Sequence, residues 1–191
     1  LRLNRDRYQP DNNAAPDKDY STWSFSASGL WDMNANVTTG LSVSSSQRAP
    51  SLDELYSNYN LSNTENCVIH FATGACELGN TGFREETSLN TDLSLYLDYG
   101  RLNASVTVFY NRFRDYIAQV STGENVGSFP LREYRQDDAR FSGIEIDANY
   151  ALNNSISLRL FADSINGRLD RYGNAPRMPG QRYGMEIHYK Q

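Results

Sequence analysis

Apolar and polar positions alternate along most of this chain, and the period is two. In residues 88–99 the odd positions are Leu89, Thr91, Leu93, Leu95, Leu97 and Tyr99, while the even ones are Ser88, Asn90, Asp92, Ser94, Tyr96 and Asp98. Successive side chains of a strand leave on opposite faces, so such a segment predicts a strand with one greasy and one polar side. Residues 141–150 split the same way, with Ile144, Ile146, Ala148 and Tyr150 against Gly143, Glu145, Asp147 and Asn149. Residues 156–163 set Ile156, Leu158, Leu160 and Ala162 against Ser157, Arg159, Phe161 and Asp163. Residues 23–31 set Trp23, Phe25, Ala27, Gly29 and Trp31 against a largely serine face. Segments 37–46, 102–110 and 183–189 behave alike, and with 1–8 the pattern predicts eight strands and no sustained helix.

The connections carry the next signal. Residues 32–34, 100–101 and 152–154 are tight turns rich in Gly, Asn and Asp, whereas 9–21, 47–85, 118–138 and 167–181 are long. Every second connection is long, which gathers the long loops at one end of the sheet, as in transmembrane β-barrels. Trp31, Tyr99, Tyr150 and Tyr189 end strands at the short-turn side, each on the apolar face, where interfacial aromatics would form a girdle. About ten residues at ~3.3 Å, tilted ~45°, cover the ~25 Å apolar band of an outer-membrane barrel. A soluble β-sandwich also has two-faced strands, but it gives no reason for a repeated aromatic girdle. The polar face carries Asp92, Asp98, Glu145, Asp147, Asp163 and Glu186 with few strand cations. A small closed barrel would desolvate them, so an arc of a wider, wet or plugged barrel is expected.

Composition sharpens this picture. Of 191 residues only 39% are hydrophobic, and no stretch approaches the ~20 apolar residues of a spanning helix. The net charge of −5 excludes the basic footprint of a nucleic-acid binder. Tyr is unusually common, 13 against 8 Phe, as an interface-rich architecture requires. Leu1–Asp6 has no leader pattern and reads as the interior of a longer sequence.

The loop 47–85 holds the most specific motifs. It opens Arg48-Ala49-Pro50-Ser51-Leu52-Asp53-Glu54-Leu55-Tyr56, where Ser51 and Glu54 have capping-box spacing and predict a short helical turn. It closes with Gly79-Asn80-Thr81-Gly82-Phe83-Arg84-Glu85-Glu86-Thr87-Ser88. This pair resembles the TonB-dependent outer-membrane receptors. Arg48, Ala49, Pro50, Glu54, Leu55 and Tyr56 match that family's "R-A-P-S-x-x-E-L-Y" segment. Gly79, Asn80, Glu86 and Ser88 match its second segment, with Thr81 in place of the usual Pro and Phe83 in place of Leu. Residues 109–117, 141–145 and 176–182 resemble further family segments in the same order. The resemblance implies an all-β, antiparallel, up-and-down transmembrane barrel of about 22 strands around a plug. Residues 1–191 would then be a partial barrel of about eight strands, with the plug domain and C-terminal strands lying outside them. It further implies residence in the bacterial outer membrane with the long loops extracellular. The implied activity is active import of a scarce nutrient, energised by the TonB complex through the plug. The implied cargo is a metal ion such as zinc, or a metal complex such as a siderophore or haem, with no covalently bound cofactor.

Cys67 and Cys76 lie nine positions apart in one loop. In an exposed, oxidising setting they would form a disulfide worth about 2–3 kcal/mol by chain entropy; two unrelated free thiols are the alternative. Between them and just beyond, His70, Ala72, Thr73, Glu77, Gly79 and Asn80 resemble a run in the zinc-uptake branch of the family. Imidazole nitrogen and carboxylate oxygen suit Zn²⁺, so His70 and Glu77 are candidate ligands; the alternative is an ordinary polar loop residue beside a carboxylate that holds a backbone N–H. His188, alternating with Glu186, is expected to hydrogen-bond in the lumen. Asp11, Asp17 and Asp19 lack EF-hand spacing and read as a solvated loop. Neither a nucleophile elbow nor a phosphate-cradling loop is present, so no enzyme is expected. A passive porin or adhesin barrel, its loops binding surfaces, is the alternative function.

Overall fold

The computed structural model describes residues 1–10, 15–61, 63 and 66–190. Among these, eight long strands carry the architecture: β1 (Arg2–Tyr8), β2 (Lys18–Asn34), β3 (Val37–Arg48), β6 (Glu86–Asp98), β7 (Leu102–Val126), β8 (Phe129–Ala151), β9 (Ile156–Leu169) and β11 (Arg182–Tyr189). One helical turn, α1 (Leu52–Tyr56), and three short strands, β4 (Ile69–His70), β5 (Ala75–Leu78) and β10 (Gly173–Asn174), lie in the long connections. The eight long strands follow one another antiparallel in chain order, and β1 and β11 at the two ends each pair on one side only, leaving an open arc.

The alternation becomes a register. Leu41 faces Leu93, Leu93 faces Val108 and Val108 faces Ile144, so one row of aliphatic side chains crosses four strands on one face. Among the described residues nothing covers that face: Leu93 is 53% and Ile146 38% exposed, while Leu95 is exposed and Leu158 only half-buried. The predicted girdle residues are also exposed, Trp31 at 76%. They do not share one hydrogen-bonded row. Trp31 aligns through Thr39, Leu95 and Val106 with Ile146, four residues before Tyr150 on β8. A level line in a barrel of tilted strands crosses the rows obliquely, so this drift is what closure demands.

The opposite face is better neutralised than the sequence suggested. Arg159 Nη2 lies 2.6 Å from Asp147 Oδ2 and its Nη1 3.3 Å from Glu186 Oε2, while Arg182 Nε pairs with Asp163 at 2.6 Å. His188 Nε2 sits 3.3 Å from Glu186 Oε2 on this face. Three glycines there lie opposite aromatic residues of the neighbouring strand: Gly143 opposite Phe109, Gly167 opposite Phe141 and Gly184 opposite Phe161. A Cβ at any of them would collide with the ring, so the rings fill the space that the glycines vacate.

Two connections differ from their sequence reading. Residues 118–138 are no loop: β7 and β8 run on past the apolar band and turn at 127–128. The alternation is hidden because a bulge between Phe113 and Tyr116, with Asp115 at φ 55°, inserts one residue and exchanges the faces. Likewise β2 begins at Lys18 and β9 continues to Leu169, shortening the expected loops 9–21 and 167–181. Asp19 is a strand residue whose carboxylate accepts from Arg5 and Arg7, and Asp17 accepts from Gln9, so neither belongs to a cation cluster; Asp11 lies outside the described residues.

The chain's buried side chains gather at the long-loop end. Tyr20, Leu55, Phe83 and Ile117 form one cluster and Ala118, Ala139, Leu169 and Ala175 another. Phe113, Tyr116 and Phe141 border the second as an edge-to-face trio with centroids 5.2–5.4 Å apart.

Candidate functional site

The motif residues of loop 47–85 converge on a clasp. Ser51 caps α1 as its spacing predicts: Glu54 N donates to Ser51 Oγ at 3.3 Å and Ser51 N donates to Glu54 Oε2 at 2.7 Å. The Glu54 carboxylate also receives Arg48 in a two-pronged pair of 2.9 and 3.2 Å. Arg48 Nη2 reaches Glu86 Oε2 at 3.0 Å, and the same oxygen accepts from Ile117 N at 3.1 Å. One guanidinium therefore ties the helix to the start of β6, and the Glu86 carboxylate carries the tie on to Ile117 in the upper part of β7. Burial lowers the Arg48 pKa, yet the hydrogen bonds that its guanidinium donates to both carboxylates outweigh this and leave it raised.

The closing motif docks on the same turn. Gly79 N donates to Ser57 O at 2.7 Å and Asn80 N to Glu54 O at 2.8 Å. A Cβ on Gly79 would stand 2.8 Å from backbone atoms of Leu55, Tyr56 and Ser57, so only glycine permits this approach. Pro50 and Leu55 are fully buried beneath, Tyr56 donates to Pro16 O at 2.8 Å, and Tyr20 donates to Phe83 O at 2.9 Å. The residues that carry the family resemblance are thus the ones that hold the loop down.

Cys67 and Cys76 are joined in a disulfide, with Cα atoms 5.9 Å apart. It spans the β4–β5 hairpin, and β5 adds in parallel to the upper part of β8 through Cys76 opposite Leu131 and Leu78 opposite Glu133. Asn58, at φ 48°, staples the hairpin to the helix: its amide donates to Val68 O and Glu77 O, and its side-chain oxygen accepts from Val68 N.

Glu77 is the buried charge of this crown, 1% exposed. Its Oε1 accepts from the Thr73 hydroxyl and its Oε2 from the Tyr134 hydroxyl at 3.0 Å. His70 Nδ1 stands 3.8 Å from Oε1 and is itself part-exposed. Burial pushes the Glu77 carboxyl up, but Thr73, Gln119, Tyr134 and His70 together hold it below the usual range. Burial and this contact push the Tyr134 hydroxyl up. The structure does bring His70 and Glu77 together. Both Glu77 oxygens are already engaged, however, and among the described residues no three His, Cys, Asp or Glu side chains are arranged to hold a metal ion. Tyr134 and Asn58 were not singled out by the sequence, and Thr73 entered only through the resemblance, not as a partner of Glu77. No alternation marks Tyr134, because Leu131 and Glu133 on one side and Arg132 and Tyr134 on the other each pair an apolar residue with a charged one.

Beside the hairpin an open cavity of about 920 Å³ is bounded by Leu52, Tyr56, Tyr59, Val68, His70, Phe71 and Glu77. Its wall mixes aromatic and aliphatic side chains with nearly as many polar ones, Asp53, Asn58, Asn60, His70 and Glu77 among them, and so offers both apolar and hydrogen-bonding contacts.

Comparison with known proteins agrees in kind. The family described as TonB dependent receptor-like, beta-barrel, matches residues 1–191. Two curated relatives named iron-regulated outer membrane virulence protein, both from Vibrio cholerae serotype O1, are 30% identical over 152 residues, covering 74% of this chain. The chain spans 22% of the length of those relatives. Among solved structures, the copper transporter OprC superposes with a TM-score of 0.71 over 92% of this chain and 25% of its own, at 17% identity. The siderophore receptor PirA from Acinetobacter baumannii does so at 0.65, over 93% and 27%, at 18% identity. The FrpB iron transporter from Neisseria meningitidis follows at 0.62, over 99% and 28%, at 14% identity.

Proposed function

The chain belongs to the TonB dependent receptor-like β-barrel family, and from that membership we propose that it is a wall segment of an outer-membrane importer of scarce metal, taken up as a complex. It resides in the bacterial outer membrane, and the family is one of transport receptors rather than enzymes. One observation carries the reading: the aliphatic rows of β3 and β6–β8 are left bare on the outside, while the clasped crown at the long-loop end offers a cavity to the outside medium. Lipid wets the first, and cargo meets the second on its way to a plug and to TonB, both outside residues 1–191. The iron, siderophore and copper proteins that it resembles support a metal cargo. Zinc is the narrower reading, and it rests on His70 standing 3.8 Å from Glu77.

The test is uptake by cells that carry or lack the full-length protein, under iron and under zinc starvation, with the proton gradient intact or collapsed. Loss of gradient-dependent accumulation of a labelled iron complex in the deleted strain is expected. Accumulation that survives the collapse identifies a passive porin and overturns the proposal. His70→Ala tests the narrower reading: a Zn²⁺ titration of the folded protein that is unchanged by the substitution removes zinc and leaves the importer.

A further inference from the structure

The outward face turns polar above the aliphatic rows, through Tyr110, Ser142 and Asn166, and then basic at a single row. On β7, β8 and β9 the positions above the aliphatic rows are Arg112, Arg140 and Arg168, with Arg112 directly opposite Arg140 and Arg140 directly opposite Arg168. All three are exposed, as is Arg114 two residues further along β7. Like charges facing one another across adjacent strands repel and destabilise a sheet. The compensation within the chain is partial: Arg140 Nη2 lies 2.9 and 3.1 Å from the two carboxylate oxygens of Asp170. Among the described residues, the side chains of Arg112, Arg114 and Arg168 make no hydrogen bond or ion pair. The contrast with β1 is direct, where Arg5 and Arg7 share Asp19.

The depth of this row is informative. Arg140 is ten residues from Tyr150 on β8, roughly 33 Å along the strand and about 23 Å of depth at a ~45° tilt. That is the height of the apolar band of an outer-membrane barrel, so the arginines stand at its long-loop rim. Tyr110 lies just below Arg112 and is exposed on the same face, as an interfacial ring would be. Below it come Val108 and Ile144, 43% and 37% exposed.

We propose that this rim is a binding site for a phosphate-bearing lipid of the outer leaflet. Arg112, Arg140 and Arg168 grip the phosphate oxygens, and Val108 and Ile144 lie along the acyl chains. Guanidinium forks match phosphate geometry, and clustered basic side chains at a membrane rim recruit anionic headgroups. The bound phosphate removes the cross-strand repulsion that the chain leaves uncompensated. The proposal rests on the lipid-facing reading of this surface.

The full-length protein, purified in detergent and stripped of lipid, is titrated by native mass spectrometry with dioleoyl phosphatidic acid and with dioleoylglycerol, which differ by the phosphate alone. The combined Arg112→Gln, Arg140→Gln, Arg168→Gln variant is expected to lose phosphatidic acid affinity on the order of a hundredfold, with dioleoylglycerol unaffected. The corresponding triple lysine variant retains most of the binding and shows that the barrel has folded, and Arg101→Gln at the opposite rim changes nothing. Equal phosphatidic acid affinity in the wild type and the triple glutamine variant overturns the proposal. So does displacement of the lipid by inorganic phosphate at equal concentration, which would mark a free-anion site, and so does a rim-dependent dimer, which would mark a protein occupant. If neither lipid binds any variant, the lipid-facing reading itself falls.

Discussion

Below the arginine row, the strands bury almost nothing among the described residues; above it, β1, β2, β7, β8 and β9 all contribute to a buried cluster. The two halves are continuous, since β7 and β8 run through both, yet they are stabilised by different means. In the lower half neighbouring strands from β2 through β9 to β11 are joined by backbone pairing, and the outward side chains are sorted for a solvent other than water. Leu93 at 53% exposure is as much at home there as Leu55 at zero exposure is in the crown. In the upper half both faces meet water, so the chain must build its own core, and it does so with a helical turn, a clasp of Arg48 between two carboxylates, and a disulfide hairpin laid against β8. What differs is the source of the apolar environment, which is external in one half and folded in the other.

The sharpest way to break this comparison is to damage each half in the manner that should hurt only that half. Leu55→Ala removes a fully buried side chain beneath α1 and should weaken the crown by about 2–5 kcal/mol. Hydrogen exchange on the full-length protein should show the α1 and 67–80 amides losing protection while the lower halves of β6–β8 keep theirs. An equal loss in the lower strands would mean that the two halves are one cooperative unit.

The second effect is slightly smaller and reversed in place. Leu93→Arg sets a charge near the middle of the outward aliphatic band, where a lipid-facing arginine costs about 2–4 kcal/mol. Folding titrations into lipid vesicles should show that loss, and Leu93→Ala should show much less. If arginine is tolerated as well as alanine, the face is wet and the external solvent is not lipid.

The same division decides what could be read from the chain. In the lower half a strand must keep one uninterrupted apolar side, so Leu89–Leu97 and Ile144–Tyr150 announce their faces by period two, and the eight long strands were legible. In the crown no face is reserved. The bulge at Asp115 exchanges the sides within β7, and Ala118 is buried where simple alternation expects loop. The Ser51–Glu54 cap was legible because its chemistry is local. The parallel pairing of β5 with β8 was not, because it joins three residues to a strand more than fifty positions away with no turn to signal it. The motif residues were recognised as a group, but their role as a clasp needed Arg48, Glu54 and Glu86 in one place. His70 and Glu77 stand 3.8 Å apart; the hydroxyls of Thr73 and Tyr134 that occupy the carboxylate were beyond reach of spacing.

The smallest expected effect separates the halves by acid. Glu77 is buried in the crown with its pKa lowered, since the donors around it outweigh burial. A carboxyl whose folded pKa lies below its unfolded value stabilises the fold above the unfolded value and ceases to as pH falls through the folded one. The docking of the β4–β5 hairpin should therefore hold from neutral pH down to about 4.3, the ordinary glutamate value, and weaken progressively below it. The disulfide keeps the hairpin closed throughout, so what loosens is its seat on Tyr134 and β8 rather than the hairpin itself. Glu77→Gln keeps an acceptor for Tyr134 but cannot titrate, and it should make exchange at residues 75–78 insensitive to acid over that range. If the wild type and Glu77→Gln loosen together as the pH falls, the acid response belongs to other carboxylates and Glu77 contributes none of the crown's hold.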